Sequence, residues 1–82
     1  MNYTINIGQP GYMPTTSYKL EGFTQDELVG VFRDELYQTV EAERLPLSLV
    51  LSHSEVLDML DTYGKASAHI GGYVHELVPT EE

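Results

Sequence analysis

Residues 24 to about 42 constrain the fold of this 82-residue chain more than any other segment. Thr24 and Glu27 match the capping-box pattern T-x-x-E, which begins a helix through reciprocal bonds between side chains and backbone N–H groups. Apolar residues then recur every four positions, at Leu28, Phe32, Leu36 and Val40. This spacing places them on one face, so the sequence predicts an amphipathic helix that buries that face against other elements.

A second amphipathic helix is predicted to begin at Ser52 or Ser54. Glu55 stands three residues after Ser52, where a capping box has its acidic member. The inner face of this helix is expected to carry Val56, Met59, Leu60 and Tyr63. Gly64 follows, and a glycine there commonly ends a helix in the left-handed conformation.

Three segments before and between the helices have the composition of β-strands. Residues 3–7 alternate apolar and polar side chains, and residues 15–20 are rich in β-branched and aromatic types. The turn formers of residues 8–14 join these two strands as a hairpin with a long loop. Residues 47–51, after Pro46, are a nearly continuous apolar run, as expected of a central strand.

Residues 66–78 are also strand-like but are interrupted by Gly71 and Gly72. The pair is either a two-residue hairpin turn or a bulge in one long strand, and we favour the bulge because a hairpin would pair short strands with few apolar residues. The element order is then β-β-α-β-α-β, an α+β fold with two amphipathic helices packed on a small antiparallel or mixed sheet. Residues 1–82 form a single domain in this prediction, with a frayed acidic tail at 79–82.

The composition limits how such a domain is stabilised and where it is found. Without cysteine, neither disulfides nor thiolate metal ligands contribute, so the core has to hold by packing. No apolar run approaches the roughly 18 residues needed to cross a bilayer. Residues 1–5 lack the basic and apolar regions of a signal peptide. A cytoplasmic location is therefore expected.

The charge balance is the unusual feature of the composition. Thirteen carboxylates face four bases, and the net charge is −9. Such a surface repels nucleic acid and anionic membranes and attracts basic proteins. Direct binding of nucleic acid or of a membrane is therefore not expected. Acidity of this degree is also found where it only keeps a protein soluble. The arrangement of the carboxylates on the helices therefore decides between binding of a basic protein and solubility.

Carboxylates occupy the polar faces of both predicted helices, with Arg33 as the one base among them in the first helix. The first helix carries Asp26, Glu27, Asp34 and Glu41 opposite its apolar face, with Glu35 at the flank, and the second carries Glu55, Asp58 and Asp61. Stabilising pairs of opposite charge four residues apart are missing. The helix dipole explains Asp26, Glu27 and Glu55, but not the remaining outward carboxylates. The sequence therefore predicts an acidic partner-binding surface.

Two tyrosines are candidate contact residues of the same kind. Tyr37 lies among the carboxylates of the first helix, and aromatic side chains often anchor interfaces, although exposed tyrosines are also ordinary. Gly30, in mid-helix, either lets a partner approach the backbone or is a tolerated exposed glycine. In the loop of residues 9–14, Tyr12 and Met13 are either a second contact point or folded back onto the sheet.

No motif for catalysis or metal binding accompanies these features. His53, His69 and His75, even with Glu76, match no zinc-ligand spacing, and positions on a strand surface are the simpler interpretation. The glycine pair is not followed by a helix, so it is no phosphate loop. We expect a non-enzymatic protein without a catalytic residue, metal ion or cofactor.

In size, acidity, lack of cysteine and compact α/β pattern, the chain resembles the small inhibitors that phages and mobile elements encode, including anti-CRISPR and antirestriction proteins. The resemblance covers overall character and implies no residue assignments. It implies a basic nucleic-acid-binding target in the bacterial host cytoplasm, such as a CRISPR surveillance complex or another defence effector at its DNA-recognition surface. The carboxylates of both helices would stand in for DNA phosphates and block that surface.

Two other hypotheses are carried forward. The chain is an adaptor or regulatory module that contacts its partner through Tyr12 and Met13 or through an open sheet edge. Alternatively, an exposed sheet face forms a homodimer. Whether the protein is a monomer or a homodimer is left open at this stage.

Overall fold

A computed structural model describes residues 2–80 of the chain. Its strands are β1 (Tyr3–Gly8), β2 (Thr16–Leu20), β3 (Ala66–Ile70) and β4 (Tyr73–Pro79). Its helices are α1 (Gln25–Ala42) and α2 (His53–Tyr63), with a short 3-10 turn at Leu47–Leu49 between them. The predicted α+β class with two helices is confirmed, and the predicted order of elements holds roughly. Of the antiparallel and mixed sheets that the sequence allowed, the structure has a four-stranded antiparallel one.

The sheet has the strand order β2-β1-β4-β3, and every neighbouring pair is antiparallel. Ile5 and Leu77 are paired at its centre and are fully buried. Because side chains alternate along a strand, the neighbours Thr4 and Glu76 lie on the opposite face. Helix contacts fall mainly on β3 and β4. The sheet therefore has an inner face under the helices and an outer polar face.

Both helices begin at the capping boxes that the sequence predicts. The Thr24 hydroxyl accepts from the Glu27 backbone N–H at 3.2 Å, and the Glu27 carboxylate accepts from the Thr24 N–H at 3.0 Å. Ser52, not Ser54, is the N-cap of α2, and it forms the same two bonds with Glu55 at 3.2 Å each. Each box satisfies two backbone donors that a helix end otherwise leaves unpaired.

The core lies between α1 and the inner face of the sheet. The predicted apolar face of α1 is confirmed, with Leu28, Phe32, Leu36 and Val40 all buried. From α2, Val56 and Leu60 are buried and Met59 packs against them. The prediction that Tyr63 lies on the inner face of α2 is wrong, because its side chain, at the last residue of the helix, is 71% exposed.

Two details of the predicted element order are corrected. Residues 66–79 form a hairpin rather than one bulged strand, because Gly71 (φ +59°) and Gly72 (φ +84°) both adopt the left-handed conformation of a tight two-residue turn. A Cβ on Gly71 would lie 2.9 Å from Leu45 Cδ1, so this turn closely approaches the segment that follows α1.

The strand predicted at 47–51 is the second correction, because this segment is a 3-10 turn with Leu47 and Leu49 exposed. A short apolar run has no periodicity that separates a buried strand from other structures. The β3–β4 hairpin supplies the strand that this segment was expected to form. The segment instead links two helices that are neighbours on one face of the sheet.

The tail predicted from residue 79 onward is partly ordered. Pro79 pairs with Tyr3, and the Thr80 N–H donates to the Asn2 carbonyl at 3.0 Å. The Thr4 and Thr80 hydroxyl oxygens are 2.8 Å apart. Glu81 and Glu82, the acidic end of that tail, lie outside the described residues.

Candidate functional site

The carboxylates that the sequence places on the polar helix faces point away from the core. We call this set the acidic helix layer: Asp26, Glu27, Asp34, Glu41, Glu55, Asp58 and Asp61, all exposed. Gly30 is exposed among them, and a Cβ built on it would have no neighbouring atom within 4 Å. The backbone of α1 is therefore open to approach at this point.

Two contacts join the start of α1 to the two ends of α2. Gln25 Nε2 donates to Asp61 Oδ1 of α2 at 2.9 Å. Next to it, Asp26 Oδ1 lies 3.3 Å from His53 Nε2 at the other end of α2. The first turn of α1 therefore lies against α2, and Asp26 and Asp61 of the acidic helix layer are both at this contact.

Basic side chains compensate little of this charge. In α1, Arg33 donates from Nε to the Leu51 carbonyl at 2.9 Å and from Nη2 to the Tyr37 hydroxyl at 3.2 Å. Its guanidinium lies 5.6 Å from the centre of the Tyr37 ring, in range of a cation–π contact. Within residues 2–80, Asp26 beside His53 is the only carboxylate within 4.0 Å of a basic side chain, and this pair is ionic only when the histidine is protonated.

The two candidate tyrosines have different surroundings. Tyr37 is half-buried under Arg33, on the side of α1 that meets the segment before α2, so part of its ring already has a packing role. Tyr12 is 76% exposed and Met13 is 87% exposed, so neither folds back onto the sheet. The turn that presents them is closed by a bond from the Tyr12 N–H to the Gln9 carbonyl at 3.1 Å.

Charge is distributed unevenly between the two faces of the molecule. Residues 25–63, which form the helix side, contain nine carboxylates and two arginines, for a net charge of −7. Lys19 and Lys65 instead line a shallow depression on the outer face of the sheet, together with Thr4 and Glu76. The protein therefore presents a strongly negative side and a nearly neutral side.

Glu27 has two roles within the acidic helix layer. Its bonds with the backbone and the side chain of Thr24 lower the pKa of this carboxyl below 4.5. The group therefore stays ionised at neutral pH, where it caps the helix and adds to the surface charge. Glu55 occupies the equivalent position in α2. These two residues have a structural reason to be acidic, and Asp61 accepts a bond from Gln25, whereas no contact within the described part of the chain accounts for Asp34, Glu41 or Asp58.

A groove runs beside the acidic helix layer, between α1 and the inner face of β1 and β4. Its volume is about 300 Å³, and it is lined by Ile7, Glu35, Gln38, Thr39, Ala42, Glu43 and Tyr73. Ile7 and Tyr73 form its apolar floor, and Glu35 and Glu43 lie at its rim. The sequence placed Glu35 at the flank of the acidic face, but it did not reveal the groove, which strands distant in sequence complete.

His75 lies next to this groove and is not on a strand surface as predicted. Its side chain is fully buried, opposite Ile7 in the sheet. Nε2 lies 2.7 Å from the Thr39 hydroxyl, whereas Nδ1 is buried without a hydrogen-bond partner. Burial lowers the pKa of this imidazole below 6.5, so the neutral form is favoured. The alternation of residues in β4 could have predicted this burial, because His75 is two residues from the buried Leu77 and therefore lies on the same face of the strand.

In the described range, 2–80, no three His, Asp or Glu side chains converge as they would around a metal ion. Neither helix there combines the length and apolar character required to cross a bilayer. Comparison of the chain with protein families, curated proteins and solved structures found no match.

Proposed function

We propose that this protein is a non-enzymatic inhibitor that binds a basic surface of another protein through the acidic helix layer and keeps nucleic acid from that surface. The observation that carries the proposal is the exposure of seven carboxylates on two adjoining helices. Among residues 2–80, only Asp26 has a basic side chain within 4.0 Å, that of His53. Asp34, Glu41, Asp58 and Asp61 cap no helix. Their mutual repulsion favours a cationic partner.

The arrangement also favours a partner that ordinarily binds nucleic acid. Basic surfaces for phosphates recognise spaced negative charges, and residues one heptad apart, such as Asp34 and Glu41, are spaced by roughly 10 Å along a helix. The nearly neutral outer face would leave the complex without a second strongly charged side. The resemblance to phage inhibitors directs the proposal to a bacterial cytoplasmic defence complex, such as a CRISPR surveillance complex at its DNA-binding surface.

The direct test measures duplex DNA binding by purified CRISPR surveillance complexes and restriction nucleases in the presence of this protein. A variant with Asp34→Asn, Glu41→Gln, Asp58→Asn and Asp61→Asn removes four charges and leaves both capping boxes intact. Inhibition should weaken stepwise as the four changes are combined, and wild-type binding should weaken steeply with added salt.

The matched control neutralises two carboxylates outside the acidic helix layer, through Glu21→Gln and Glu76→Gln. This variant should inhibit nearly as well as the wild type, since neither residue lies on the helix side. Equal inhibition by the fourfold variant and the wild type would contradict the proposal. So would binding that is insensitive to salt.

A second candidate function is that of an adaptor that contacts its partner through the loop before β2. The observation that favours it is the exposure of Tyr12 and Met13, two apolar side chains on a tight turn. This adaptor would bind with little dependence on salt, and Tyr12→Ala would abolish binding while the fourfold charge variant would not. The inhibitor and the adaptor therefore predict opposite effects on partner binding for Tyr12→Ala and for the fourfold charge variant.

A further inference from the structure

The inner face of the sheet is only partly covered by the helices. Tyr18 of β2 lies opposite the buried Ile5, so its side chain is on the inner face, yet it is 47% exposed. Ile7 is its diagonal neighbour on β1 and is part of the floor of the groove. The floor therefore continues from Tyr73 across Ile7 toward Tyr18, along the flank of α1.

The uncovered region has the width of one helix. Neighbouring strands are about 4.8 Å apart, so β1 and β2 together present a strip roughly 10 Å wide. Packed helices lie about 8–10 Å apart. Ile5 and Leu20 are buried under the existing helices, so the open part of this strip is the end of β1 and β2 at Ile7 and Tyr18. A further helix would fit across that end, beside α1. It would contact the flank that carries Glu35, Gln38 and Ala42.

The residues that line the groove indicate which side chains a helix bound there would carry. Its floor is apolar, at Ile7, Tyr73 and Ala42, whereas Glu35 and Glu43 line its rim. No lysine or arginine is among the residues that line it. An occupant with an apolar face toward the floor and basic residues beside the two glutamates is complementary in both respects.

We propose that the groove binds an amphipathic basic helix of the partner protein, with its apolar side chains on Ile7 and Tyr73 and its Lys or Arg side chains beside Glu35 and Glu43. This proposal rests on the proposed function, since the helix belongs to the basic partner of the acidic helix layer. Apolar contact in the groove would add short-range specificity to a long-range electrostatic attraction.

A second copy of the chain does not fit the same description. The polar faces of its own helices carry the acidic helix layer, so either of them in the groove would bring carboxylates close to Glu35 and Glu43. Like charges at such distances repel. The basic helix therefore has to come from another protein.

The test uses synthetic helices as probes. One peptide of about 18 residues, roughly 27 Å long as a helix, places leucines on one face and lysines on the other. A second peptide has the same composition in an order that forms no apolar face, and a third replaces lysine with glutamate. Fluorescence anisotropy then gives the affinity of each labelled peptide for the wild-type protein.

Two substitutions of equal charge distinguish the groove from the rest of the helix side. Ala42→Lys places a cation within the groove, whereas Thr62→Lys adds the same charge at an exposed position of α2. We expect the amphipathic basic peptide to bind the wild type about tenfold more tightly than its reordered form, which corresponds to about 1.4 kcal/mol. Ala42→Lys should abolish that preference, and Thr62→Lys should change it by less than about twofold.

Several results would overturn the groove proposal. Equal binding of both basic peptides, with strong salt dependence, would do so while leaving the acidic helix layer as the binding surface. If Ala42→Lys still preferred the amphipathic basic peptide over its reordered form, the groove proposal would likewise be overturned and the acidic helix layer would remain the binding surface. Failure of every basic peptide to bind at low salt would contradict the proposed function as well. Gln38→Lys is a second groove variant in case Ala42→Lys alters folding, which circular dichroism reveals.

Discussion

The bond between Thr39 and His75 joins α1 to the central strand β4, and it gives the sharpest prediction for stability. The imidazole is fully buried, its Nε2 is 2.7 Å from the Thr39 hydroxyl, and its Nδ1 has no partner. Thr39→Val keeps the shape of the side chain and removes the hydroxyl. Nε2 then joins Nδ1 as a buried nitrogen without a partner, and the loss of its bond should lower the free energy of unfolding by about 1–3 kcal/mol.

His75→Leu should cost less than Thr39→Val, although it removes the whole imidazole. The substitution loses one hydrogen bond, worth about 1 kcal/mol, and it also removes the unpaired Nδ1, whose burial costs about 1–3 kcal/mol. The half-buried Thr39 hydroxyl lines the groove and can bond to water there. We therefore expect His75→Leu to lie within about 1 kcal/mol of the wild type at neutral pH, and Thr39→Val to cost little in that background.

The same imidazole makes stability depend on pH. Burial lowers the pKa of His75 below its ordinary value of 6.5, so the unfolded chain takes up a proton at a pH where the folded protein does not. The free energy of unfolding should therefore fall as the pH decreases through 6.5 toward the lower pKa of the folded state. His75→Leu should lose less stability than the wild type over the same range.

Urea unfolding of the wild type, the two single variants and the double variant measures all of these quantities. The midpoints are compared at about pH 7.5 and about pH 5.5, and thermal melts give a second measure, since 1 kcal/mol corresponds to roughly 4–8 °C for a domain of this size. A Thr39→Val variant as stable as the wild type would refute the reasoning. So would an undiminished pH dependence in His75→Leu.

Two further predictions concern local structure. Ser52→Ala should destabilise the protein by about 1 kcal/mol through loss of the α2 cap, whereas Ser54→Ala, two residues later, should remain within about 0.5 kcal/mol. Urea midpoints compare the two variants, and equal effects would contradict the assignment of Ser52 as the cap. Gly71→Ala should cost more than Gly72→Ala, because both have positive φ but only a Cβ on Gly71 meets another atom, Leu45 Cδ1 at 2.9 Å; thermal melts of the two variants test this order.

The features that the sequence predicted correctly depend on residues close together in the chain. The capping boxes of α1 and α2 join residues three apart, and the buried face of α1 follows from a spacing of four. The strands of the first hairpin follow from alternation and from the turn formers between them. Exposure of the helix carboxylates was predictable for the same reason, since the helical period that buries Leu36 turns Asp34 and Glu41 outward.

Features that depend on contacts distant in sequence were decided by the tertiary structure alone. An apolar run at residues 47–51 fits a strand as well as a link between helices, and the choice depended on which segment paired with β4. His75 is buried because β1 and β3 flank β4 and α1 covers it. The groove exists because the two helices leave β1 and β2 partly uncovered.

The acidity of the chain is thus a property of its sequence, whereas the joining of Asp26 and Asp61 on one surface is a property of the fold. Composition alone determined that the protein carries nine excess negative charges and no disulfide. Only the packing of α2 against the start of α1 decided that Asp26 and Asp61 lie at one contact between the helices, because residues far apart in the chain become neighbours only when the core forms.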